Sequence, residues 1–137
     1  MSIGGNDFYP SLSMAADVLR GDDTWMPPRF DALRKNFDGA IDEIRRLNPK
    51  ARLIVQSLYN SALPLPMLYD TFDAAVTGIN GIIRDYLKDH PKAYQIADVY
   101  AAFQGKSGLV SLDMIHPSTR GHAVIADTLL DTLGGSR

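Results

Sequence analysis

Hydrophobic residues recur every three or four positions in three long stretches of the chain, which is the spacing of one face of an α-helix. The first two stretches predict helices over residues 28–47 and 67–89, because an Asn-Pro pair and a His-Pro pair follow them and stop a helix. The third predicts a last helix over residues 117–133, with Pro117 in its first turn. The apolar positions are Phe30, Leu33, Phe37, Ile41, Ile44 and Leu47 in the first helix, Leu68, Phe72, Val76, Ile79, Ile83 and Leu87 in the second, and Val124, Ile125, Leu129, Leu130 and Leu133 in the third.

Two shorter apolar runs separate these helices. Residues 51–58 are nearly apolar along their length, which suits a central parallel strand covered on both faces, and residues 94–99 are predicted to form a second full strand. Residues 1–3 resemble the end of a further strand, and a short helix is predicted between Pro10 and Gly21. The order helix, strand, helix, strand, helix implies a parallel sheet with right-handed crossovers.

The composition is that of an ordinary globular chain. It has 137 residues, of which 45% are hydrophobic and 22% charged, so we expect residues 1–137 to form a single domain with one core. A net charge of -2 gives no basic surface for nucleic acid. Cysteine is absent, which excludes disulfides and thiolate zinc sites. No apolar run approaches the ~20 residues that span a bilayer, and nothing in the sequence indicates a compartment.

The candidate chemistry lies near the C-terminus, where residues 113–117 read Asp-Met-Ile-His-Pro. An Asp three residues before a His can accept a hydrogen bond from one imidazole nitrogen, which fixes the tautomer and leaves the other nitrogen as a general base. The same pattern also suits a surface His at a helix start. A metal-dependent hydrolase built on Asp113, His116 and His122 is disfavoured, because a spacing of six is not the i, i+4 spacing of a helical metal pair.

Two other places offer polar groups. The sequence Gly-Gly-Asn-Asp at residues 4–7 carries Asn6, whose amide can donate to a developing oxyanion or simply belong to a glycine turn. The loop that begins at Tyr59 follows a predicted strand at its C-terminal end, where open α/β sheets bind ligands. Tyr59 and Asn60 therefore either line an acyl pocket or belong to an ordinary surface loop.

Together, the G-G-N-D sequence and the later D-x-x-H-P resemble the SGNH (GDSL) hydrolase family, and most closely its bacterial GDSL-type lipase/acylhydrolase branch. The resemblance implies a flavodoxin-like three-layer α/β/α sandwich and ester hydrolysis by a Ser-His-Asp triad, with no metal or organic cofactor. It implies that Asp113 and His116 are the triad acid and base and that Asn6 donates to the oxyanion. The residues expected to bind the substrate, a small ester or lipid, are Gly5, Tyr59 and Asn60.

The sequence departs from the family pattern in two of its four blocks. The family carries its nucleophilic Ser in a G-D-S block on the first strand and an oxyanion-hole Gly in a second block, and neither is found in these 137 residues. We therefore expect the C-terminal part of an SGNH hydrolase domain, N-terminally truncated, nearly inactive by itself and able to self-associate through an open sheet edge. The alternative is a non-catalytic binding or interaction module derived from the same fold.

Overall fold

The computed structural model describes residues 1–5, 20–22, 24–61 and 66–134, and it leaves out the side chains of residues 66–68. Asn6 lies outside these residues, and so does nearly all of the short helix predicted after Pro10. The elements in chain order are α1 (Met26–Leu47), β1 (Ile54–Gln56), α2 (Pro66–Asp89), β2 (Gln95–Ala97), α3 (Val99–Phe103) and α4 (Thr119–Thr132).

The first two long helices lie where the hydrophobic periodicity predicts them. α1 begins two residues early, and prolines occupy its first turn, where no backbone donor is needed. It ends as predicted before the Asn-Pro pair, and the Asn48 N–H donates to the Ile44 carbonyl at 2.8 Å. α2 spans Pro66–Asp89, within one residue of the predicted range. The periodicity therefore located both helices correctly.

The last helix begins later than predicted. Its N-cap is Ser118, whose hydroxyl accepts a hydrogen bond from the Gly121 N–H at 3.1 Å. Pro117 lies before the cap and forms an antiparallel bridge with Val110. The prediction of Pro117 in the first turn is therefore wrong, because a serine that satisfies an unpaired helix donor sets the start of the helix instead.

The sheet is parallel, as predicted, but its strands are short. Val55 of β1 is paired with Ile96 of β2. On the other side of β1, the Met1 amino group donates to the Ile54 carbonyl at 2.6 Å, and the Gln56 N–H donates to the Met1 carbonyl at 2.8 Å. These two bonds have the pattern of a parallel pair, so Met1 continues the sheet beside β1.

The main core lies between α1, α2 and β1. Phe37 and Ile41 of α1 pack there with Val55 of β1, and Phe37 meets the rings of Tyr86 and Tyr94 edge-on at 6.1 and 5.9 Å. A second cluster consists of Val99, Phe103 and Leu109, against which Val124 and Ile125 of α4 pack.

α4 also contacts both strands. The chain therefore forms an α/β/α sandwich around a parallel sheet. None of the helices in the described ranges is long and apolar enough to cross a membrane.

Two positions predicted to face inward on the last helix do not. Leu130 and Leu133 are 48% and 43% exposed. A helix of 14 residues is about 21 Å long, whereas strands of three residues span about 10 Å. The last turn of α4 therefore extends past the sheet and has less apolar surface to cover it.

Candidate active site

Asp113 and His116 lie in the turn that precedes α4, and their side chains are in contact. His116 Nδ1 is 2.7 Å from Asp113 Oδ2, so the predicted hydrogen bond is present. The bond occupies Nδ1 and leaves Nε2 on the far side of a ring whose side chain is 73% exposed. A neutral imidazole held this way carries its proton on Nδ1 and can accept a second one at Nε2.

The other carboxylate oxygen of Asp113 is held by the turn itself. Oδ1 accepts hydrogen bonds from the Ser111 hydroxyl at 2.5 Å, the Ile115 N–H at 2.9 Å and the His116 N–H at 3.0 Å. The Ser111 bond first, then the bonds from the His116 ring and the two backbone donors, hold the pKa of Asp113 well below its usual range. Asp113 is therefore ionised at neutral pH and acts only as an acceptor.

Backbone bonds close the turn on both sides. The Ser111 N–H donates to the His116 carbonyl at 2.8 Å, and the Met114 N–H donates to the Ser111 carbonyl at 3.0 Å. Met114 has φ of 59°, a left-handed conformation that is uncommon for residues other than glycine. That conformation reverses the chain, so that the next two backbone N–H groups point back at the carboxylate.

The turn is attached to the start of α4 by close packing. A Cβ placed on Gly121 would lie 2.1 Å from the Leu109 carbonyl oxygen, so only glycine allows this approach. The Ser118 N–H also donates to that carbonyl at 2.8 Å, and the Ser118 hydroxyl donates to the Gly108 carbonyl at 2.7 Å. The helix therefore fixes both ends of the segment that carries Asp113 and His116.

Tyr59 reaches the same turn from the carboxyl end of β1. Its hydroxyl donates to the Ile115 carbonyl at 2.7 Å, and its ring stacks on Phe103 with 4.4 Å between centroids. Burial, and then the nearby charge of Asp113, raise the pKa of Tyr59 to about 12. Tyr59 is thus a neutral donor to the turn, and its predicted contact with substrate stays a prediction.

Asn60 lies beside Tyr59 but faces the protein interior. It is 1% exposed, and its amide donates to the Tyr69 carbonyl at 3.1 Å and to Asp73 Oδ1 at 3.2 Å. The same Asp73 oxygen accepts from the Tyr100 hydroxyl at 2.9 Å. This buried position favours a structural role for Asn60, and its predicted role in substrate binding stays a prediction.

The glycine pair follows Met1 at the same end of the sheet. Because Met1 runs parallel to β1, Gly4 and Gly5 come after the carboxyl end of that segment, as Tyr59 does in β1. Gly4 is buried with φ of 98°, and a Cβ there would lie 2.9 Å from Ile79 Cγ2. Gly5 is exposed. The roles of Gly5 and Asn6 at the site stay predictions.

Ser111 was not predicted from the sequence as a partner of Asp113. A hydroxyl two residues before an Asp in a polar turn is a known signal, since Ser and Asp side chains bond nearby groups in turns. As for metals, no three His, Asp or Glu side chains cluster as ligands within residues 1–5, 20–22, 24–61 and 66–134.

This fold, with an Asp-His pair before the last helix, is accompanied by a clear sequence match. The chain belongs to the GDSL-like Lipase/Acylhydrolase family, whose sequence profile matches residues 1–124. It is 30% identical over 101 residues to the spore germination lipase LipC of Bacillus licheniformis, a match that covers 70% of this chain and 45% of that protein. It is 33% identical over 130 residues to the uncharacterized protein YpmR of Bacillus subtilis, covering 91% and 49% respectively. The chain thus spans about half the length of these two relatives.

Solved structures share the fold. The crystal structure of the lipase Lip_vut3 from a goat rumen metagenome superposes with a TM-score of 0.76 at 21% identity, covering 96% of this chain and 61% of that one. The esterase domain of the ZfL2-1 ORF1 protein from a zebrafish retrotransposon gives 0.63 at 20% identity, covering 77% and 59%. These matches confirm the predicted flavodoxin-like three-layer sandwich.

Proposed function

We propose that this chain supplies the acid, the base and one oxyanion donor of a carboxylic-ester hydrolase that acts by Ser-His-Asp acyl transfer on a small ester or lipid. The observation that carries the proposal is the 2.7 Å bond between His116 Nδ1 and Asp113 Oδ2. It leaves Nε2 on an exposed ring, next to a carboxylate that stays ionised. This is the arrangement that a general base in acyl transfer requires.

Each residue has a defined part in the reaction. His116 Nε2 takes the proton of a serine hydroxyl as that oxygen bonds to the ester carbonyl carbon, and the Asn6 amide donates to the resulting oxyanion. Asp113 stabilises the imidazolium without taking its proton. His116 then gives the proton to the departing alcohol, and water releases the acyl group from the serine by the same two steps.

The nucleophile is the part that these residues do not supply. No G-D-S block occurs in the sequence. The Ser57 hydroxyl is buried and donates to Asp98 Oδ1 at 3.0 Å, while the Ser111 hydroxyl donates to Asp113. Both hydroxyls therefore serve as structural donors. We propose that the serine comes from a separate segment with the family's G-D-S block.

The test compares the chain alone with the chain co-expressed with a family-like G-D-S segment. Alone, it should neither hydrolyse p-nitrophenyl esters nor react with a fluorophosphonate serine probe. With the segment, both activities should appear, and His116→Ala should lower kcat by about 10⁴–10⁶.

The matched control is His122→Ala, an exposed histidine on α4 that should leave kcat unchanged. An active His116→Ala enzyme would disprove the assignment. Stoichiometric labelling of Ser57 or Ser111 in the chain alone would disprove the missing-nucleophile hypothesis.

Asn6→Ala in the active pair tests the oxyanion role separately. The change should lower kcat by about 10²–10³ if the amide donates to the oxyanion. A loss below about tenfold would instead assign Asn6 to the glycine turn.

The alternative is a non-catalytic binding module with the same fold. It predicts that the pair of segments assembles and binds an ester analogue without turnover. Self-association through the sheet edge beside Met1 is a separate prediction. Sedimentation that gives a monomer mass at all concentrations would exclude it.

A further inference from the structure

We propose that Tyr59 is a positioning residue, which holds the Asp113–His116 turn in register with the sheet by donating its hydroxyl to the Ile115 carbonyl. The bond is 2.7 Å long and joins residues 56 positions apart in the chain. Its catalytic meaning rests on the proposed function, whereas the contact itself can be tested in this chain alone.

Tyr59 is well anchored at its own end. The preceding residue, Leu58, is held on both sides by the buried Asn80, which accepts from the Leu58 N–H at 2.8 Å and donates to the Leu58 carbonyl at 2.9 Å. Ser57 accepts from the Tyr100 N–H at 3.0 Å. The backbone that carries Tyr59 is therefore fixed by α2 on one side and by α3 on the other.

The ring of Tyr59 is fixed as well. It stacks on Phe103, which is 1% exposed, with an interplanar angle of 22°. Because burial raises the pKa of the hydroxyl, the group keeps its proton throughout the neutral range. Tyr59 is thus a rigid donor with one well-defined direction.

The bond acts on the carboxylate through one peptide unit. The Ile115 carbonyl, which accepts from Tyr59, and the His116 N–H, which donates to Asp113 Oδ1 at 3.0 Å, belong to the same planar group. Fixing the carbonyl therefore fixes the direction of the N–H. Asp113 and His116 are exposed, so this contact, together with the packing of Leu109 against the start of α4, links the turn to the buried core.

The histidine tautomer reports this restraint directly. Nitrogen chemical shifts of the three histidines in the labelled chain give the fraction of each neutral ring that carries its proton on Nδ1. In the wild type, the neutral His116 ring should be mostly protonated on Nδ1, because Asp113 accepts that proton. Tyr59→Phe keeps the stacked ring and removes one hydrogen bond. It should lower the ratio of Nδ1–H to Nε2–H in His116 by about two- to tenfold.

Tyr100→Phe is the matched control, since it removes a tyrosine hydroxyl that bonds Asp73 outside the turn. It should leave the His116 tautomer unchanged, and His90 and His122 should not respond to either variant. A folded Tyr59→Phe chain with the wild-type tautomer ratio would overturn the proposal. A tautomer shift of equal size in Tyr100→Phe would also overturn it, because the effect would then follow from general destabilisation.

Two further measurements extend the test, and the first keeps the proposal testable even if Tyr59→Phe does not fold, because it uses the wild-type chain. In the wild-type chain, the ring protons beside the hydroxyl should show nuclear Overhauser effects to Ile115, and their absence would disprove the contact. In the enzyme completed with a G-D-S segment, Tyr59→Phe should lower kcat about two- to tenfold with KM unchanged. A tautomer shift without any esterase activity in the completed wild type would support the positioning role and contradict the proposed function.

Discussion

Two regions of this chain, the helical core and the Asp-His turn, are built in opposite ways. In the core, Phe37, Ile41 and Val55 are at most 1% exposed and meet apolar neighbours. In the turn, the side chain of His116 is 73% exposed, and the shape comes from hydrogen bonds that converge on Asp113. The core is held by the burial of apolar side chains, and the turn is held by the directions of a few hydrogen-bond donors.

Because the two regions are held in different ways, we expect the core to determine the stability of the fold and the turn to determine the chemistry of the Asp-His pair. Burial is non-directional and scales with apolar area, so changes in the core should alter the free energy of unfolding. A single hydrogen bond contributes about 1 kcal/mol net, but it fixes an angle that burial cannot. We therefore expect changes in the turn to alter the ionisation of Asp113 and the orientation of the His116 ring, with a small effect on folding.

The largest expected effect on stability comes from Phe37→Ala in α1. Removing this ring leaves a cavity between α1, α2 and β1 and should cost about 3–5 kcal/mol of unfolding free energy, measured by urea denaturation. Lys35→Ala, at an exposed position of the same helix, is the control and should change it by less than about 0.5 kcal/mol. A loss below about 1 kcal/mol in Phe37→Ala would show that the core is not packed as described.

A smaller effect, with opposite signs, is expected at two glycines of α2. A Cβ on Gly78 would lie 2.4 Å from the Phe30 ring of α1, whereas a Cβ on Gly81 would meet nothing within 4 Å. Gly78→Ala should therefore cost about 1–3 kcal/mol by overpacking. Gly81→Ala should gain up to about 1 kcal/mol from helix propensity. Equal effects in the two variants would mean that α1 and α2 do not pack through Gly78.

The core was largely predictable from the sequence because its signal is local and repeated. Six apolar positions at spacings of three and four identify α1, and the same count identifies α2. The strands were predicted too long, as residues 51–58 and 94–99 rather than Ile54–Gln56 and Gln95–Ala97. Apolar runs mark burial, while strand ends depend on backbone pairing that the run does not encode.

The turn could be predicted only where the residues in contact lie close together in the sequence. The spacing of three predicted the contact between Asp113 and His116. The bond from Tyr59 joins residues far apart in the chain, so no local pattern could reveal it. The left-handed Met114 is equally hidden, since methionine has no preference for that conformation.

At the boundary between the two regions, Ser118→Ala should affect folding but not the ionisation of Asp113. Ser118 caps α4, and losing such a cap costs about 0.5–2 kcal/mol, measurable by urea denaturation. Asp113 should titrate as in the wild type, because its hydrogen-bond donors are unchanged. A changed pKa of Asp113 in this variant would show that the cap and the turn are coupled.

The smallest effect on stability, and the sharpest test of the comparison, is expected from Ser111→Ala. The Ser111 hydroxyl is the largest cause of the lowered pKa of Asp113, so removing it should move that pKa up toward 3.8, the ordinary value. The measurement is a carbon-13 NMR titration of the Asp113 carboxyl group, with Ser118→Ala as the matched serine control.

The sign of the pH dependence follows from linkage. A carboxyl whose pKa is lower in the folded chain than in the unfolded chain stabilises the fold above the unfolded value, and this contribution disappears as the pH falls through the folded value. The difference in stability between wild type and Ser111→Ala should therefore be present at pH 7. The part of this stability difference that comes from the pKa of Asp113 should disappear as the pH falls well below 3.8. If Asp113 titrates identically in both chains, the Ser111 hydroxyl does not lower its pKa, and the His116 ring and the backbone donors hold the carboxylate without it.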